Sequence, residues 1–191
     1  GAPIEGEAGV GYVLKPGFML PPLMFTEDEI EALVFGTRLA ATRADERLAS
    51  AAENALAKIA AVLPPDLADR METTGLIVAP PWNARPDAVD LGLVRTAIRN
   101  ETRLQFSYVN EKGIATRRVV WPIAVAFFER ARVLTAWCEL RQDFRHFRLD
   151  RMAEAVDLGV RYPRRRRQLM KEWRELEPAV PSGEIAAPKP A

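Results

Sequence analysis

Val133-Leu-Thr-Ala-Trp-Cys-Glu-Leu-Arg-Gln-Asp-Phe-Arg-His-Phe-Arg-Leu-Asp-Arg151 reads as two strands joined by a short polar turn at 139–143. The second strand carries an unusual load of cations. Upstream the period is also two: from Thr102, Leu104, Phe106 and Tyr108 alternate with Arg103, Gln105 and Ser107. That alternation marks a half-buried strand. Asn110-Glu-Lys-Gly113 supplies a hairpin loop. Strands are predicted at 114–121, 123–128, 132–138 and 144–149, separated at Pro122 and at Glu129-Arg-Ala131. Five short antiparallel strands in about fifty residues predict a small barrel or a highly bent sheet.

Helices flank this β unit, so the fold class is α+β. Thr26-Glu-Asp-Glu29 is a capping box that starts a helix, with Ile30, Leu33, Val34 and Thr37 at helical spacing. A second helix is predicted from Asp45 to about Val62. Leu48, Ala52, Ala55, Leu56 and Ile59 line one of its faces, and Pro64-Pro65 stops it. The two would form an αα-hairpin whose alanines suit core or dimer packing. The stretch from Pro64 to Pro86 is less regular, with a short strand at Leu76–Ala79 and a loop at 80–86. A third helix runs from about Ala88 to Asn100, with Leu91, Val94 and Ile98 as its stripe. Leu169, Met170, Trp173 and Leu176 predict a C-terminal helix, and the Pro- and Ala-rich tail beyond Glu177 predicts disorder.

The residues from Pro3 to Leu14 read as two short strands around a Gly-rich turn. The chain opens on Gly1 rather than methionine, which points to a processed piece of a longer protein. Predicted boundaries are 1–22 for the hairpin region, 23–86 for the helical linker, 87–160 for the β unit, 161–176 for the last helix and 177–191 for the tail.

Basic and acidic residues nearly cancel, 27 Lys and Arg against 26 Asp and Glu, yet the stretch from Arg95 to Arg174 is strongly basic and its flanks acidic. Such asymmetry predicts either solvated arginines or a surface for an anionic ligand or nucleic acid. Catalytic constellations are missing. His146 is the only histidine, and no Cys cluster, HExxH, GxSxG or P-loop lysine occurs. The sequence therefore predicts no enzyme, no metal and no cofactor. Cys138 is the single cysteine, so no intramolecular disulfide can form, and its strand context predicts a small buried hydrophobe. No apolar run approaches the roughly 20 residues that span a bilayer. No secretory leader pattern opens the chain, so a cytoplasmic protein is expected.

In the basic strand, alternation puts Arg145, Phe147 and Leu149 on one face, and Phe144, His146 and Arg148 on the other. Phe147 and Leu149 would face the core, with Arg145 snorkelling near one end. Phe144 beside His146 and Arg148 would suit a nucleotide or single strand, the ring stacking a base and the guanidinium taking phosphate. The structural alternative is that Arg148, Asp150 and Arg151 form ion pairs that close the β unit. Arg118, with Arg117, extends the basic surface or is merely solvated. Arg164–Arg167 sits at a helix start, where cations oppose the helix dipole. It reads as solvated or as a partner contact.

Several segments together resemble the WYL-domain transcriptional regulators of bacteria. They are Val94-Arg-Thr-Ala-Ile98, Leu104-Gln-Phe-Ser-Tyr108, Arg118-Val-Val-Trp-Pro122, Leu134-Thr-Ala-Trp-Cys138 and the run from Arg141 to Arg151. Gly11–Leu14 and Leu20–Ile30 resemble the wing and linker of the same regulators, of the short type similar to YafY-like members. The resemblance implies an Sm-like, SH3-type β-barrel that senses a ligand. It also implies a winged helix-turn-helix that binds promoter DNA, its recognition helix lying before Gly1, and a homodimer. The motif that names the family aligns with Arg132-Val133-Leu134, where only the Leu is kept. Arg132 then adds a cation to a ligand site expected to comprise Arg118, Arg132, Phe144, Arg145, His146, Arg148 and Arg151. The function expected is the effector-sensing and dimerising part of a DNA-binding regulator. The alternative is a stand-alone module that grips RNA or single-stranded DNA.

Overall fold

A computed structural model describes residues 4–7, 11–14, 24–79 and 86–176. The tail from 177 and most of the 80–86 loop lie outside the described residues. Strands β1 (Ile4–Glu7) and β2 (Gly11–Leu14) pair antiparallel. Three helices follow: α1 (Glu27–Arg43), α2 (Glu46–Ala60) and α3 (Pro65–Thr73). The β unit comprises α4 (Leu91–Asn100), β3 (Thr102–Val109), β4 (Ala115–Phe127), β5 (Arg132–Cys138), β6 (Asp143–Arg148), a 3₁₀ turn at Leu149–Arg151 and β7 (Met152–Arg161). Helix α5 (Arg166–Leu176) ends the described chain.

Local chemistry fixes the helix starts. The Thr26 hydroxyl accepts from the Glu29 amide at 3.3 Å, and Glu29 accepts from the Thr26 amide at 2.8 Å, completing the expected capping box. Asp45 caps α2 through the Leu48 amide, and Asp90 caps α4 through the Gly92 amide. Pro64-Pro65 does more than stop α2. Pro65 occupies the first turn of α3, where its missing N–H costs nothing, so a helix stands where irregular chain was expected. Leu76–Ala79 is not a strand. Ile30, Val34 and Met71 form the core of the helical unit, with Leu56 and Ile59 packed against it. Ala55, expected on the inward face of α2, is exposed.

The sheet is antiparallel, ordered β6-β5-β4-β3-β7. Its register puts Leu104, Val120, Cys138 and Asp143 in one row and Trp121, Trp137 and Phe144 in a row on the opposite face. The first face packs under Leu91, Val94 and Ala97 of α4, together with Phe106, Tyr108, Phe147, Leu149 and Met152. The second packs under Leu169 and Trp173 of α5, with Tyr162 stacked on Trp121. A sheet covered on both faces by helices buries its apolar residues without closing on itself. No ladder joins β6 to β7, so the sheet is open and the expected closed barrel is not formed.

Two strand predictions are corrected. Residues 114–121 and 123–128 are one strand, β4, which runs through Pro122. Proline cannot donate to a ladder, and the register against β5 shifts between Pro122 and Ala124 to absorb that loss. The fifth strand is β7, not anticipated from the sequence, and it bends at positive-φ Glu154 and Gly159.

Candidate anion-binding site

The seven predicted ligand residues fall into three groups. Phe144 and His146 share a face with Arg148, as alternation requires, but α5 covers that face. Phe144 is buried and meets Trp137 edge-on at 5.1 Å. His146 is 5% exposed, its Nδ1 lies 3.1 Å from the Thr135 hydroxyl, and its ring meets Trp173. The stripe of α5 needs an apolar partner surface, and Trp121, Trp137 and Phe144 supply it. The ring expected to stack a base is therefore core.

Arg132, Arg148 and Arg151 form the second group, and each meets carboxylates. Arg148 donates to both oxygens of Asp150, at 3.0 and 2.9 Å, in a bidentate pair whose carboxylate is almost wholly buried. Those hydrogen bonds hold Arg148 even more firmly protonated, against the effect of burial. Arg151 pairs with Glu111 of the β3–β4 loop at 3.2 Å. Arg132 donates to Asp87 at 2.8 Å and to the Arg43 carbonyl at the end of α1, and lies over the Phe127 ring. Burial raises the Asp87 pKa; Arg132 pulls it back only in part, and the Asp150 charge adds to the rise. Asp150 thus links the two arginine pairs electrostatically.

Arg118 and Arg145 form the third group. Both lie on the α4-covered face, but on opposite sides of the Val120–Cys138–Asp143 row, Arg118 on β4 and Arg145 on β6 with β5 between, so the register does not bring them together. Arg145 pairs with Asp143 at 3.2 Å, and that carboxylate is half exposed. Arg118 is different. It is 6% exposed, its Nε donates to the Thr116 hydroxyl at 3.1 Å, and its buried Nη1 has no partner among the described residues. No carboxylate pairs with it among the described residues. A buried guanidinium without a counter-charge costs several kcal/mol relative to a paired one.

The Arg164–Arg167 cluster is largely engaged. Arg164 pairs with Glu172 and lies over the Trp137 ring, Arg165 reaches Glu101 at 3.8 Å, and Arg166 donates to the Ile123 carbonyl at 3.1 Å. No group of three or more His, Cys, Asp or Glu side chains suited to a metal gathers among the described residues. No described helix is long and apolar enough to cross a membrane.

The family model described as the WYL domain matches residues 90–157, the stretch from the α4 cap into β7. Residues 90–157 are a WYL domain. Protein PafC from two strains of Mycobacterium tuberculosis is 30% identical to this chain over 139 residues, 72% of the chain. The chain spans 40% of the length of these curated relatives. A solved structure of proteasome accessory factor B/C (PafBC) of Arthrobacter aurescens is 18% identical and covers 75% of this chain and 22% of its own, with a TM-score of 0.35.

Arg132-Val133-Leu134, expected from the resemblance to align with the motif that names the family, opens β5. Val133 and Leu134 are buried, and Arg132 is spent on Asp87 and the end of α1. The WYL domain here thus uses that cation as a tether to the helical linker. Sequence reasoning missed Asp87, and it read Asp45 as the start of α2 without its second role in anchoring the linker. Asp45 pairs with Arg95 of α4 while capping α2. Asp87 lies beside Pro86, and its only signal was a lone acid in an irregular stretch.

Proposed function

We propose that this chain is the effector-sensing part of a bacterial transcriptional regulator, and that its WYL domain binds an anionic ligand through Arg118. Arg118 carries the reading: a buried guanidinium with an orphaned donor is completed by a phosphate or carboxylate from outside the chain. The basic charge of the stretch around it would draw such a ligand in. The β1–β2 hairpin is the wing of a helix-turn-helix that contacts promoter DNA, and the regulator works as a cytoplasmic homodimer without chemistry of its own. The match to the WYL domain and the likeness to PafC support a regulatory role.

The anion is either a small phosphorylated metabolite or the backbone of a single nucleic-acid strand. Fluorescence anisotropy of the chain against labelled single-stranded DNA, at low and moderate salt and with inorganic phosphate as competitor, tests this. Binding that weakens steeply with salt and is lost in Arg118→Met supports the strand, since each phosphate contact adds about 0.7 to the log–log slope. Protection of Arg118 by phosphate without strand binding supports the small anion. Binding unchanged in Arg118→Met overturns the site.

A further inference from the structure

Helix α1 buries Ile30 and Val34 against α3 and α2, yet it carries a second apolar face on the opposite side. Asp28, Ala32, Phe35, Gly36, Leu39 and Arg43 follow one another by steps of four, three, one, three and four, which keeps them on one stripe. Ala32 and Gly36 are exposed, and Phe35 and Leu39 are 41% and 39% exposed. Gly36 is the odd residue. Glycine is among the poorest helix formers, and it stands in the middle of a 17-residue helix. Among the described residues nothing requires it, because a Cβ built there meets none of their atoms within 4 Å. A missing side chain with open space above it is what close approach of another backbone needs.

The stripe is complementary to itself when reversed. About a centre between positions 35 and 36, Phe35 falls opposite Gly36, Leu39 opposite Ala32 and Asp28 opposite Arg43. Large meets small and acid meets base at each pair. The helix ends agree: Glu27, Asp28 and Glu29 fill the first turn and Arg43 the last. Arg43 is half-buried at the end of the stripe: its Nε is buried without a partner among the described residues, and its Nη1 lies 3.5 Å from the Phe128 carbonyl, so its charge has no carboxylate partner among the described residues. We propose that α1 packs antiparallel against α1 of a second copy of this chain, through a two-fold interface centred on Phe35 and Gly36. This rests on the homodimer reading above and names its interface. It commits to a second copy because the charge and size pattern is palindromic, as an isologous contact demands. One helix pair is smaller than a standard interface, so a dissociation constant on the order of micromolar is expected.

Sedimentation velocity of the 191-residue chain over a concentration series tests it, without nucleic acid or phosphate, so that failure of the anion site leaves the result untouched. Wild type should dimerise, and Phe35→Glu should weaken association at least about tenfold. Asp28→Arg and Arg43→Asp should each weaken it through like charges, and an equimolar mixture of those two variants should restore dimers, since every contact is again acid against base. Gly36→Ala should raise the melting temperature of the monomer and weaken the dimer. A chain that stays monomeric overturns both this interface and the homodimer reading for this chain. A dimer indifferent to Phe35→Glu, or charge variants that do not rescue each other, overturns the interface alone.

Discussion

Arg118 concentrates a conflict between stability and binding into one side chain. Its alkyl stem lies among the apolar residues of β3 and β4, but its charged head lacks a carboxylate. Replacing such a cation with an apolar side chain of similar length is expected to stabilise the fold by about 1–3 kcal/mol. Urea denaturation of Arg118→Met should therefore show a higher midpoint while anion binding disappears. Asp150 shows the reverse case. Its carboxylate takes both prongs of Arg148, so Asp150→Ala should cost about 2–4 kcal/mol, read in the same urea experiment. Asp45 adds a dependence on pH. Burial pushes its pKa up, but the hydrogen bond from Arg95, the Leu48 amide and the Arg95 charge outweigh that and leave it below 3.8. A carboxylate lowered in the folded state contributes stability above its unfolded value. That contribution is lost as the pH falls through the lowered folded value. Asp45→Asn should therefore reduce stability near neutrality and flatten the acid limb below the ordinary carboxylate range, as followed by circular dichroism.

At the scale of elements, the parts that read clearly were those with a local signature. Thr26 and Glu29 announced α1, Asp45 announced α2, and the alternation of Leu104, Phe106 and Tyr108 announced β3, because caps and period-two burial are written in adjacent residues. The misreadings share a cause in tertiary context. Pro122 looked like a break, but its carbonyl takes the Tyr162 hydroxyl at 3.1 Å and a register shift carries the strand past it. In β7, Val156, Leu158 and Val160 alternate with Asp157 and Gly159, but all three apolar side chains are exposed, so the strand has no buried face of its own there. Phe144 and His146 were placed on the right face, but nothing near them in sequence said that α5 would cover it. Helix α5 is therefore a structural element of the β unit. Trp173→Ala should cost about 3–5 kcal/mol, and loss of its contact with His146 should alter the near-ultraviolet circular dichroism.

In the molecule as a whole, the helical linker meets the WYL domain at one corner, the α1–α2 turn. Arg132 holds the Arg43 carbonyl there, and Arg95 holds Asp45 two residues on. The same Arg132 reaches Asp87, whose charge is felt by Asp150 and hence by Arg148. Arg132→Met should cost about 2–3 kcal/mol and raise amide hydrogen exchange in the α1–α2 turn before it does so in β5. The outer edge of the sheet has a different consequence. Strand β7 exposes Val156, Leu158 and Val160 along an unpaired side, the pattern that invites chains to stack edge to edge into aggregates. The left-handed kinks at Glu154 and Gly159 break that edge into pieces too short to template another strand. Straightening those two positions would join the pieces into one continuous apolar edge, long enough for another copy to stack on and seed fibres.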